Sequence, residues 1–284
     1  MAEQISNKKN KNPKQAKVID EKEMSFWDHL SELRGTFVRS IIAIFVLAIV
    51  AFLNKDFIFN EIILAPKNGD FITNQVLCSL GMLLGIDYFC VKEFALEIIN
   101  IDMSGQFLTH MYISFVVGFI AAAPYVIYEF WRFIKPALYD NERKTSSGAV
   151  LVFSLLFYLG VFFAYYLIVP ITLNFFGGYH VSEMVKNQIS LSSYISTVVT
   201  VTLSIGLVFE LPIVIYFLAK VGVVNIDFLK KNRKYTLVIV LILSAIVTPP
   251  DVFSQLLVTV PLMILYEFSI FLAKRAEKEE AKKE

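Results

Sequence analysis

Three glutamates stand where a carboxylate either has a partner to find or a cost to bear: Glu32 in "HLSELR", Glu142 in "YDNERK" and Glu210 in "FELP". Glu32 and Glu142 each have an arginine close in sequence, Arg34 and Arg143. Taken singly, such exposed pairs are worth under about 1 kcal/mol and read as surface decoration. Glu210 is different, because the other ionisable side chains between Lys186 and Lys220 are the weakly acidic Tyr194 and Tyr216. A carboxylate inside so apolar a run costs about 2.5–3.5 kcal/mol on insertion scales, so it must face a partner, a cavity or water. No H-E-x-x-H, G-x-S-x-G or G-x-x-x-x-G-K-[ST] occurs, and His29, His110 and His180 are scattered. The pattern therefore argues against metal-dependent or hydrolytic chemistry and against direct use of ATP. Cys78 and Cys90 leave two readings open, a disulfide in an oxidising compartment or a pair of buried thiols.

The elements that must carry these acids are set by the solvent. The chain has 284 residues, 56% of them apolar and 14% aromatic. A hydrocarbon core about 30 Å thick takes roughly 20 apolar residues of helix. Six candidate segments fit, about 36–53, 107–128, 149–169, 194–218, 235–248 and 252–273, which defines an all-α polytopic membrane protein. Of its 26 Lys and Arg residues, 22 fall in segments 1–39, 129–147, 219–234 and 274–284. By the positive-inside rule both termini face the cytoplasm. Residues 1–23 form a polar tail with no apolar stretch of a cleaved signal, and 274–284 a charged one. Between them, 24–273 make the membrane domain, with an extracytoplasmic cap from 54–106.

Several local features refine this outline. "MSFWDHLSELR" before the first span has apolar residues at helical spacing and predicts a short amphipathic helix on the membrane surface. "GFIAAAPYVIY" and "GLVFELPIVIY" match in the second and fourth spans, and each proline is expected to bend its helix. The fifth segment, Tyr235 to Thr248, covers only about 21 Å. With a short sixth helix after "TPPD", it forms a hairpin that thins the bilayer or is shielded by protein.

Four separated motifs, "HLSELR", "YEFWRFIKPALYDNERK", "FELP" and "TPPDVFSQ", resemble in order and spacing the TatC family, the large subunit of the twin-arginine protein translocase. The resemblance covers about residues 25–272. It implies a receptor and scaffold for export of folded proteins, driven by the proton gradient, rather than an enzyme, and it implies no cofactor. Its implied partners are twin-arginine signal peptides, small single-span subunits of the TatA/TatB type, the lipid bilayer and further copies of the chain. Its implied location is the bacterial inner membrane.

Carried over by position, Glu32, Arg34, Phe133 and Glu142 match the signal-peptide site, and Glu210 matches an intramembrane acid associated with partner contact. Pro66, Pro136 and Asp251 match structural positions. Two carboxylates at fixed spacing suit paired arginines, because a guanidinium binds a carboxylate bidentately and an ammonium does not. The stretch around 70–100, with its cysteine pair, departs from the compact first outer loop of the family. Two other classes also accommodate Glu210. A proton-coupled solute transporter would use it as a relay and depend little on Glu32 or Glu142, whereas a purely structural scaffold would tolerate changes at all three.

Overall fold

The computed structural model describes residues 26–84, 97–134, 148–179, 181–182, 184, 187–220, 226–248 and 252–280. Among these, five helical stretches are long and apolar enough to cross a membrane: His29–Leu53, Gly105–Ile134, Ala149–Gly178, Leu191–Ala219 and Ser254–Phe271. Ile41, Ile42, Phe45, Val46 and Ile49 are all exposed along the first of them. In water so continuous an apolar face would be a liability, whereas in lipid it is the solvated side.

The first helix, α1 (Phe26–Leu53), runs unbroken for 28 residues. The expected separate surface helix is thus the first turns of the span itself. No proline intervenes, and Gly35 costs a helix only about 1 kcal/mol. A π-helical stretch, Phe57–Ile63, and a 3-10 turn, Ala65–Lys67, follow, then α2 (Ile72–Leu84). A two-residue strand, β1 (Ile98–Ile99), pairs in parallel with β2 (Ile189–Ser190) and so joins the two segments expected to lie outside. The second span is α3 (Gly105–Ile134). The third is composite, with α4 (Ala149–Phe163), a π-helical segment Ala164–Ile168 and α5 (Val169–Gly178).

The fourth span also has two parts, α6 (Leu191–Val208) and α7 (Leu211–Lys220), separated by a turn at Phe209–Glu210. A short helix, α8 (Ile226–Lys231), leads into α9 (Arg233–Val247). With 15 residues, α9 reaches only about 22 Å and falls short of a spanning length. The last helix, α10 (Val252–Glu280), has 29 residues. As a helix it is longer than expected, although its part apolar enough to span is the 18-residue Ser254–Phe271, and it continues through the charged residues 274–280. Lys, Glu and Ala, which dominate that stretch, are strong helix formers.

The prolines explain how long helices survive here. Each removes one N–H and frees the carbonyl four residues earlier, a cost that water cannot offset inside lipid. Pro124 lies inside α3, and the Tyr158 hydroxyl of α4 donates to the freed Ile120 carbonyl at 3.2 Å. Pro170 opens α5, and the Thr73 hydroxyl of α2 donates to the freed Tyr166 carbonyl. Before Pro66, the carbonyls of Ile62 and Ile63 accept from Tyr165 at 2.6 Å and Tyr194 at 2.8 Å. The matched Pro124 and Pro212 therefore differ in outcome: α3 stays continuous, while the fourth span breaks two residues before Pro212.

Two close crossings fix the bundle. A Cβ on Gly118 of α3 would lie 2.6 Å from the backbone N of Ala48 on α1. One on Gly160 of α4 would lie 2.8 Å from Phe209 Cβ and 2.9 Å from Gly206 Cα. Only glycine permits such approach between apolar helices. The α9–α10 hairpin closes on polar contacts: Thr259 donates to Ser244 at 3.1 Å, and Gln255 to the Leu241 carbonyl at 3.0 Å.

Candidate functional site

At one end of the bundle the first turns of α1 lie against the last turns of α3. The His29 ring stacks on Phe133 at 4.3 Å, and Phe37 meets Phe130 edge to face at 5.5 Å. These contacts bring two expected site residues, Glu32 and Phe133, onto one seam. Glu32 is half-buried, Arg34 is exposed, and the Oε2 atom of Glu32 is buried with no hydrogen-bond partner among the described residues. That oxygen has no donor among the described residues and can accept from an incoming one. Glu142 and Pro136, expected beside it, lie outside the described residues.

Two turns further along α1, the seam holds an ion pair that sequence reasoning missed. Arg39 donates through Nε to Oε2 of Glu129 at 2.8 Å, and its Nη2 lies 2.8 Å from the same oxygen. Tyr125 donates to Oε1 at 3.0 Å, so both carboxylate oxygens are satisfied. The side chain of Glu129 is 3% exposed, that of Arg39 41%. The sequence signal was present but weak. Arg39 sits just inside the first apolar run and counts there as one more inner cation, while Glu129 opens "EFWRF" after the matched Val-Ile-Tyr.

Glu210 occupies the break between α6 and α7. Its own N–H donates to Leu207 O at 3.1 Å, and its carbonyl accepts from Ile213 and Val214 at 3.2 and 3.1 Å. Its backbone is thereby satisfied despite the break. Its side chain is not: both carboxylate oxygens are buried, and neither has a hydrogen-bond partner by distance and angle. The backbone of Phe157 on α4 makes a weak hydrogen-bonding approach to it that falls outside those limits. The Gly160–Phe209 crossing holds this segment of the span against α4.

Pro66 is buried at the 3-10 turn, where Asn74 donates to its carbonyl at 3.4 Å and to that of Asn68 at 2.8 Å. Asn174 donates to Asn74 Oδ1 at 2.8 Å and ties this turn to α5. Cys78 on α2 is disulfide-bonded, and Cys90 lies outside the described residues. So does Asp251.

Fold and site together define a class: a polytopic helical membrane protein that holds carboxylates in apolar surroundings, an architecture of transport components. Comparison with known proteins narrows the class. The family model described as Sec-independent protein translocase protein (TatC) matches residues 28–261. The chain is 41% identical over 256 residues to the Sec-independent protein translocase protein TatC of Blattabacterium sp. subsp. Periplaneta americana, covering 89% of this chain and 96% of that protein. With the TatC of Aquifex aeolicus it shares 36% over 257 residues, covering 90% and 97%. Two crystal structures of the twin arginine translocase receptor TatC, the second of them in DDM, are similar to it. They show 34% and 35% identity and TM-scores of 0.65 and 0.68, cover 88% and 86% of this chain, and are themselves 99% covered. The chain belongs to the TatC family and is a protein translocase component of the twin-arginine pathway.

Proposed function

We propose that this chain is the receptor subunit that binds twin-arginine signal peptides at the cytoplasmic face of a bacterial inner membrane. Both termini are cytoplasmic, and the bound cargo is exported folded, at the expense of the proton gradient. The observation that carries this reading is the buried, unpartnered Oε2 of Glu32 beside the His29–Phe133 stack. One guanidinium of the signal pairs with Glu32 and the other with Glu142, while Arg34 and Phe133 border the site. The many cations of this face repel basic peptides that cannot engage both acids.

Glu210 then serves a second binding event. Its unpartnered carboxylate at a helix break receives a polar group of a single-span partner helix of the TatA/TatB type, in an assembly holding several copies of this chain. Pro66, Pro136 and Asp251 shape the turns that position these segments, and Cys78 pairs with Cys90 to close the outer cap. The test is crosslinking of a twin-arginine peptide, with a twin-lysine control, to membranes carrying the full chain. Glu32→Ala or Glu142→Gln is expected to lower arginine-dependent crosslinking on the order of tenfold, the loss of one charged hydrogen-bonded contact. Undiminished crosslinking in both variants would sink the assignment of the site.

A further inference from the structure

Arg39 is a built-in competitor for Glu32. The two lie seven residues apart, hence two turns apart on the same face of α1, and helical side chains lean toward the N-terminus, which aims Arg39 at Glu32. The guanidinium has already covered part of that path. Its Nη2 lies 3.4 Å from Thr36 Oγ1, and its Nη1 lies 3.1 Å from where a Cβ of residue 35 would stand. Gly35 leaves the space the guanidinium occupies, one turn from Glu32. No ion pair joins Arg39 to Glu32, because Arg39 is committed sideways to Glu129 on α3.

We propose that Glu129 is a positioning residue that sequesters Arg39 and so keeps the Glu32 carboxylate open for the guanidinium of a signal peptide. The proposal rests on the receptor reading of Glu32. Its logic is competition among three groups, two acids and one internal cation. Glu129 offers Arg39 a carboxylate fixed by Tyr125, in a buried setting where a charged hydrogen bond is stronger than at the surface. Remove that charge, and the Arg39 guanidinium swings from beside Gly35 one turn further down α1 to Glu32, closing the site from within. Thr36, 1% exposed, marks the path of that swing.

The experiment compares the full chain in membranes as wild type, Glu129→Gln, and Glu129→Gln with Arg39→Gln. Two readouts are taken: arginine-dependent crosslinking of a twin-arginine peptide, and carbodiimide-driven amide coupling at Glu32 measured by mass spectrometry. Glu129→Gln is expected to lower both by roughly tenfold, the exchange of one charged hydrogen-bonded contact. The double variant is expected to restore both, since Arg39 then no longer competes for Glu32. A double variant as defective as Glu129→Gln would mean that Glu129 acts only through packing, and the proposal falls. Wild-type behaviour of Glu129→Gln in both readouts also overturns it. If Glu32→Ala leaves crosslinking intact, the receptor role of Glu32 fails by itself, and coupling at Glu32 still decides whether Glu129 holds Arg39 away.

Discussion

Glu129 and Glu210 both bury their carboxylate oxygens within apolar spans, one inside a helix and one at a helix break, and they are treated in opposite ways. Glu129 has a donor on every oxygen: Arg39 on one, Tyr125 on the other. Glu210 has a fully bonded backbone, but no donor meets its side-chain oxygens by distance and angle. Burying a charge without partners costs several kcal/mol, and pairing it recovers that cost only when the geometry is good. The first acid therefore belongs to the structure, holding α1 against α3. The second is a standing cost to the folded chain, an arrangement that makes sense when a group from outside supplies the missing donor.

The largest expected effects test the crossings that present each acid. Gly118→Leu and Gly160→Leu each force a side chain into backbone or Cβ atoms less than 3 Å away, a clash worth about 3 kcal/mol or more. Both variants should lose the folded, protease-resistant form in detergent, whereas Gly69→Ala and Gly148→Ala, with nothing within 4 Å, should keep it. Survival of Gly160→Leu would mean that the Glu210 break is not pinned by α4.

Of intermediate size is the direct contrast. Glu129→Ala strands Arg39 and should lower unfolding free energy by about 1–3 kcal/mol, a range reduced because Arg39 is partly solvated. Glu210→Ala removes an unsatisfied group and should leave stability within about 0.5 kcal/mol or raise it. Thermal unfolding of the purified chain without partners checks both values, and equal losses would erase the distinction between the two acids. The smallest effect concerns single hydroxyls. Tyr125→Phe and Tyr158→Phe should each cost about 0.6–1.5 kcal/mol. Tyr158→Phe should also speed amide exchange around Pro124, whereas Tyr125→Phe should weaken the Arg39–Glu129 pair without moving α3.

Part of the candidate site is legible in the sequence because the bilayer acts on local composition. The cost of a charge in hydrocarbon singles out Glu210 from its own run of sequence, with no neighbour needed. Arg39 and Glu129 escaped for the converse reason. Each sits near the end of an apolar segment, where charges are ordinary, and they are 90 residues apart. Glu32 stands out through its motif, whereas the missing partner of its Oε2 is visible only in the tertiary structure. The amphipathic start of α1 was read correctly as helical and wrongly as separate, since periodicity reports a face and not a boundary.

By itself the sequence determined the solvent, the helical character of the spans, the shortness of α9 and the one acid that sits deep in an apolar run, because each depends on length and hydropathy along a continuous stretch. Tertiary structure alone decided which carboxylates are satisfied and which prolines break their helix. Pro124 is tolerated because Tyr158, 38 residues from Ile120, reaches its freed carbonyl, and Ile62 is capped by Tyr165 from 103 residues away. In lipid each freed carbonyl must find a donor within the protein, and which donor arrives is set by how the helices cross at Gly118 and Gly160.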